Sequence, residues 1–309
     1  MNQKCIATCG GAQLGLGTAA LGRPGYITIG HAHDLEHSYS VAAMERRCHA
    51  VLDEAWRCGV RWFDAARSYG RAEAFVASWL AARAIAPAEV TISSKWGYRY
   101  VANWEVRADH HEVKDHSLAA LEAQLPESRV LLGPYLSLYQ VHSVTPESPV
   151  LADPALLARL GELRDAGLRI GLSVSGPRQS ETLERALEIT VAGRPLWSAV
   201  QATWNLYERS VGPALAAAKR AGLTVMIKES VANGRLVARL GEDGDAIAIA
   251  AALAQPFSDV VLSGAATPRQ LTSNARAREL DGAELADRHT ALIEAPELYW
   301  ATRAQLAWN

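Results

Sequence analysis

Eight short apolar runs recur along the chain, and their character limits what it can fold into. They are AQLGLGT, VRWFDA, EVTISSK, YLSLYQVH, LRIGLSVS, SAVQATW, LTVMIKE and DVVLSG. Near-continuous apolarity, rather than strict alternation, suits parallel strands covered on both faces. The stretches between them read as helices. Val41, Met44, Cys48, Val51, Leu52 and Ala55 fall on one helical face, and Gly59 can end that helix. Asp153 and Pro154 supply a cap and a first turn before ALLARLGELRDA, which runs to Gly167. Thr267, Pro268 and Gln270 open the last repeat in the same way. Regular strand–helix alternation with eight strands predicts an α/β fold, a (β/α)8 TIM barrel; a doubly wound open sheet is the alternative. No linker or low-complexity stretch interrupts the pattern, so one domain spanning 1–309 is expected.

Length alone would allow two domains, but a single barrel also uses a chain of 309 residues. With 49% hydrophobic residues and a formal charge of −2, a soluble protein with a large core is expected. So even a charge balance gives no reason to expect nucleic acid or an anionic membrane as partner. There is neither a basic, then apolar leader nor an apolar run long enough to span a bilayer, which favours the cytoplasm. Cys5, Cys9, Cys48 and Cys58 form no CxxC pair and are expected to be reduced, mostly buried thiols. Oligomeric state is not legible.

Four polar side chains sit at or just past strand ends: Asp64 and Tyr69 in RWFDAARSYG, Lys95 in VTISSKWG and His142 in LSLYQVHS. Each alone has an ordinary explanation as a turn former, a packed aromatic, a surface lysine or a core histidine. In a barrel they would share the C-terminal face, where active sites lie. Three segments exceed ordinary loop length: GRPGYITIGHAHDLEHSYS, WGYRYVANWEVRADHHEV and the tail from about Asp281. Long loops in a compact domain are commonly functional, and the second is too aromatic to read as disordered.

These motifs, taken in order, resemble the aldo-keto reductase superfamily. Asp64 followed by Tyr69-Gly70, Lys95 before Trp96-Gly97, and His142 match that family's strand-end tetrad. GLSVS, VQATWNL and GAATPRQLTSN match its later motifs, so the resemblance runs from Gly15 to Asn274. It implies an NAD(P)H-dependent oxidoreductase that reduces an aldehyde or ketone to an alcohol, or the reverse, acting on a small molecule. Reduction needs hydride at carbon and a proton at oxygen. The resemblance makes Tyr69 the proton donor, with Lys95 expected to lower its pKa, Asp64 to pair with Lys95, and His142 to orient the carbonyl.

On the cofactor side the resemblance implies NADP(H), with NAD(H) as the other possibility, and no Rossmann glycine motif. It assigns Ser173 and Gln201 to the nicotinamide carboxamide. Lys228 and Glu229 lead into a loop, Ser230, Val231, Asn233 and Gly234, assigned to the pyrophosphate. Ser263, Gly264, Gln270 and Asn274 would hold the adenosine end at a helix N-terminus, and Gly17 and Thr18 join the cofactor set. Gln270 has a competing role in a T-x-x-Q capping box with Thr267. Several positions depart from the family pattern. Val174 replaces an Asn, and Ser273 a Glu. Lys228 replaces an aromatic that stacks on the nicotinamide, leaving Trp204 or aliphatic stem atoms for the ring to rest on. Gly264 and Gln270 stand where one branch carries a Lys–Arg pair for the 2′-phosphate, with Arg269 and Arg276 nearby.

Trp96, Tyr98 and Trp104, with the tail aromatics Tyr299 and Trp300, are candidates for a substrate wall; packing against the barrel rim is the alternative. The clusters His110, His111, Glu112, Asp115, His116 and His31, His33, Asp34 match no common zinc spacing, so no metal is expected and a solvated loop is the better reading. A second functional class, a nicotinamide-binding regulatory or scaffold subunit, fits the altered Val174 and Lys228 positions but has no need of an intact tetrad.

Overall fold

The computed structural model describes residues 11–309, so Cys5 and Cys9 lie outside the described residues. Eight parallel strands close into a barrel. They are β1 (Gln13–Gly17), β2 (Trp62–Asp64), β3 (Thr91–Trp96), β4 (Leu136–Val144), β5 (Arg169–Val174), β6 (Ala199–Thr203), β7 (Thr224–Lys228) and β8 (Val260–Ser263). Each pairs with its sequence neighbours and β8 closes on β1. This is the (β/α)8 barrel that the apolar runs predict; the open-sheet alternative falls because no edge is left unpaired.

The helices form for local reasons visible in the sequence. Val41–Arg57 starts at Ser40, whose hydroxyl accepts from Ala43 N, and it buries Met44, Cys48, Val51, Leu52 and Ala55. Gly59 follows it with a φ of 79°, a conformation that costs glycine little. Pro154–Asp165 is capped by Asp153, which accepts from Ala155 N and Leu156 N. Thr267 caps Pro268–Ala275 through Gln270 N. Gln270 completes only part of the capping box, because its Oε1 accepts from Ala266 N rather than from the cap residue itself (2.8 Å).

Along each strand, every second side chain points into the barrel. Trp62, Leu138, Ala199, Met226, Val260 and Leu262 make an apolar plug there. The next inward positions along the strands are polar: Asp64 after Trp62, Gln140 and then His142 after Leu138, Gln201 after Ala199, and Lys228 after Met226. The barrel is therefore dry below and polar at its C-terminal mouth. Two of the long segments turn out to be structured. The segment after β3 holds an antiparallel hairpin, Tyr98–Tyr100 with Glu112–Lys114, and the tail carries helices Gly282–Arg288 and Pro296–Ala304. Among the described residues no helix is long and apolar enough to cross a membrane.

Candidate active site

Asp64, Lys95, Tyr69 and His142 converge at the barrel mouth. Lys95 and Asp64 form a buried ion pair, and Lys95 Nζ also donates to Ala65 O (3.1 Å) and to the Tyr69 hydroxyl (3.3 Å). The second Asp64 oxygen accepts from Ser93 Oγ (2.7 Å) and Gln140 Nε2 (3.2 Å). A buried pair whose remaining lone pairs are satisfied in this way offsets much of its desolvation cost. The Tyr69 hydroxyl stands 3.5 Å from His142 Nε2. Ser68 Oγ lies 3.3 Å from Nδ1 of that ring, and the Tyr98 ring tilts against it at 5.0 Å. A bulge in β4 sets the next residue, Ser143, at a φ of 52° and turns its N–H onto Ser173 Oγ (2.7 Å).

The electrostatics differ in one respect from expectation. Burial, then the Asp64 charge, holds the Tyr69 phenol well above its ordinary value. Lys95 was expected to lower it, but the ammonium is already matched by Asp64, so little net positive field is left to oppose desolvation. Burial, then Lys95 and Arg23, pushes His142 well below the usual imidazole range. Around neutral pH the site thus presents a protonated phenol and a neutral imidazole.

A cavity of about 290 Å³ opens over this group. Of the cofactor candidates, Gly17, Gln201, Lys228, Glu229, Ser230, Val231, Asn233, Ser263 and Gly264 line it. A second cavity of about 300 Å³ shares Ala20, Thr28, Val231 and Gly264 with the first and adds Gly234, Gln270 and Asn274. Thr18 lines neither cavity; its hydroxyl donates to Asp64 O (2.9 Å) and steadies the tetrad instead. Ser173 is also absent from both linings. Between the cavities, Ile29 N donates to Asn233 O (3.1 Å), joining the loop after β1 to the loop after β7. Gln201 Nε2 is buried with no hydrogen-bond partner. An orphaned amide donor at a cavity wall fits a ligand carbonyl, so these residues suit a nicotinamide carboxamide.

The expected aromatic walls are corrected by packing. Trp96 is fully buried in the core around the barrel and does not line the cavity. Trp104 donates its indole N–H to Tyr39 O and packs edge-on to Phe75. Tyr98 backs His142 without lining the cavity. Tyr299 and Trp300 pack in a separate cluster with Leu206 and Leu236. Trp204 is buried against Phe257, away from the cavity, so no ring can rest on it there. Lys228 lines the cavity and donates to Thr203 Oγ1 (2.7 Å). Burial, opposed by Glu229, pushes its ammonium down to about 8.

Sequence reasoning missed Arg23, Tyr26, Arg303 and Trp308 and read Glu112 as part of a solvated loop; all five line the cavity. Arg23 is almost fully buried; it donates to Glu112 (2.7 Å) and Ser68 O (3.0 Å), and its guanidinium stacks between Tyr69 and Trp308. Arg303 grips Glu229 with two hydrogen bonds. Burial alone would raise the Glu229 carboxyl, but Arg303 and then Lys228 bring it down to about 2. The histidine-rich loop is not the solvated segment expected. His111 stacks on Trp308 at 3.9 Å, Glu112 holds Arg23, and His116 bonds His142 O (2.7 Å). Only the length of these loops hinted at such roles.

An eight-stranded parallel barrel with proton-transfer groups gathered at its C-terminal mouth is the architecture of a barrel enzyme. The model of the aldo/keto reductase family matches residues 13–247, and the chain belongs to that family. Membership implies nicotinamide-dependent oxidoreduction of carbonyls in general. Among solved structures, the chain is similar to an aldo-keto reductase from Bacillus halodurans in its holo form, at 19% identity and a TM-score of 0.66, covering 92% of each chain. It is also similar to the glycerol dehydrogenase of Gluconobacter oxydans, at 20% identity and a TM-score of 0.61, covering 90% of this chain and 91% of that one. These likenesses speak for the fold. No curated protein matches the chain.

Proposed function

We propose that the chain interconverts an aldehyde or ketone with its alcohol, using a nicotinamide dinucleotide and Tyr69 as the proton carrier. The observation that carries this reading is the placement of the Tyr69 hydroxyl, 3.3 Å from Lys95 Nζ and 3.5 Å from His142 Nε2. When bound, the nicotinamide supplies or accepts the hydride at the carbonyl carbon. Tyr69 gives its proton to the oxygen as the C=O bond becomes an alcohol, and it takes that proton back in the oxidative direction. Lys95 Nζ donates a hydrogen bond to the phenolate oxygen left behind, and the ion pair with Asp64 holds that ammonium in place. Neutral His142 donates a hydrogen bond toward the same oxygen and fixes the carbonyl's orientation. Gln201 holds the carboxamide through its orphaned Nε2, and Ser230, Asn233 and Gly234 supply loop groups for the pyrophosphate.

The test is turnover of NADH and NADPH against a panel of aldehydes and ketones, with alcohols run in reverse. Tyr69→Phe should lower kcat by about 10²-fold or more while leaving dinucleotide affinity near wild type. Unchanged turnover in that variant would remove Tyr69 from the chemistry. A scaffold subunit would bind dinucleotide and turn over nothing on the whole panel.

A further inference from the structure

Resting on the dinucleotide reading above, we infer that this chain selects NAD(H) over NADP(H), because the cavity at the adenosine end is acidic. This reverses the sequence expectation of NADP(H).

The argument starts from which end is which. Gln201 and the tetrad place the nicotinamide in the first cavity, and the loop Ser230–Gly234 separates that cavity from the second. The second cavity is then left for the adenosine and its ribose. Among the described residues, its charged side chains are Asp34 and Asp245, and no lysine or arginine lines it. His31 also lines it, but burial, then Arg23, pushes that imidazole down to about 4, so it brings no positive charge at neutral pH.

Both carboxylates are held in place. Gln270 Nε2 donates to Asp34 Oδ2 (2.8 Å) while its Oε1 is taken by Ala266 N. Both ends of the Gln270 amide are therefore spent, one of them on presenting an acid to the cavity. The Asn274 amide, oriented to satisfy both its ends, donates to Asp245 Oδ2 (2.8 Å) and accepts from Ser263 Oγ (2.7 Å). The basic residues nearby in sequence do not compensate. Arg276 is paired with Asp243, and Arg269 is solvent-exposed and absent from the lining.

Physically, a carboxylate accepts a hydrogen bond from a free ribose hydroxyl, whereas a 2′-phosphate is matched by an arginine. A phosphate monoester carries a charge of about −1.5 to −2 near pH 7. Set among two carboxylates in a partly enclosed cavity that no cation lines among the described residues, it is repelled rather than held.

The experiment is equilibrium titration of the full chain with NAD+ and with NADP+, read by tryptophan fluorescence and checked by calorimetry. The expected result is Kd for NAD+ lower by about tenfold or more. In Asp34→Asn/Asp245→Asn the gap should narrow, mainly through tighter NADP+ binding. Equal or tighter wild-type binding of NADP+ overturns the inference and leaves the dinucleotide reading standing. An unchanged gap in a folded double variant also overturns the assignment to these two acids. If neither dinucleotide binds, the proposed function fails and this inference falls with it. Should the double variant not fold, the two wild-type constants still decide the matter.

Discussion

His116 shows how much of this site depends on individual side chains kept in one protonation state. Its Nε2 donates to His142 O, while its Nδ1 is buried without a partner. Burial, then the neighbouring Lys114, pushes it down to about 4 from an ordinary 6.5. Between those values the unfolded chain binds a proton that the native state refuses, so stability rises with pH across this window. The contribution is complete above pH 6.5 and is lost as pH falls toward 4, about 3 kcal/mol at the limit. His116→Gln should flatten the fall in urea midpoint between pH 6.5 and pH 4.5 relative to wild type. Parallel curves for the two proteins would show that another group sets the acid limb. Tyr69 obeys the same logic with the opposite sign of shift, and its raised pKa was not legible. The sequence names the lysine and its Asp64 partner, but only the packing shows how deeply the phenol is buried, the largest cause of its upward shift, with the Asp64 charge next.

At the scale of elements, the turn that carries Tyr69 is held by a backbone contact. Gly22 O accepts from Arg71 N (2.7 Å). A Cβ on Gly22 would stand 2.1 Å from Tyr69 O and 2.5 Å from Ala72 Cβ. Gly70, at a φ of 60°, would in turn strike Gly22 O. Gly22→Ala must push the Tyr69 turn away from the loop after β1. Overpacking of this kind costs about 1–3 kcal/mol. A displacement approaching 1 Å at a reacting group costs on the order of 10²-fold in rate. Wild-type turnover together with an unaltered Tm would refute this account. The strands and main helices were readable because apolar runs, caps and terminating glycines are local signals, as at Ser40 and Asp153. The Tyr98–Tyr100 hairpin was not, because its pairing partner lies across a loop with no turn motif to announce it.

For the whole molecule, the barrel and the tetrad were legible in the sequence, while the rest of the cavity wall was not. Asp64, Lys95 and His142 follow from strand ends on a closed sheet. Arg23, Glu112, Arg303 and Trp308 come from three separate long segments, and nothing local marks them as neighbours. Trp96 shows the converse, an aromatic beside Lys95 that the strand's alternation turns outward into the core. The same loops also meet each other, and the Ile29–Asn233 hydrogen bond stands at the junction of the two cavities. A dinucleotide that occupies both cavities, as proposed, has to pass that junction. If the loops joined there must part before it leaves, its residence time follows the rate of that opening rather than the strength of its contacts at either end. Stopped-flow displacement should therefore give closely similar release rates for the full dinucleotide in wild type and in Gln201→Ala. A release rate that rises in step with the loss of affinity would mean the loops pose no barrier.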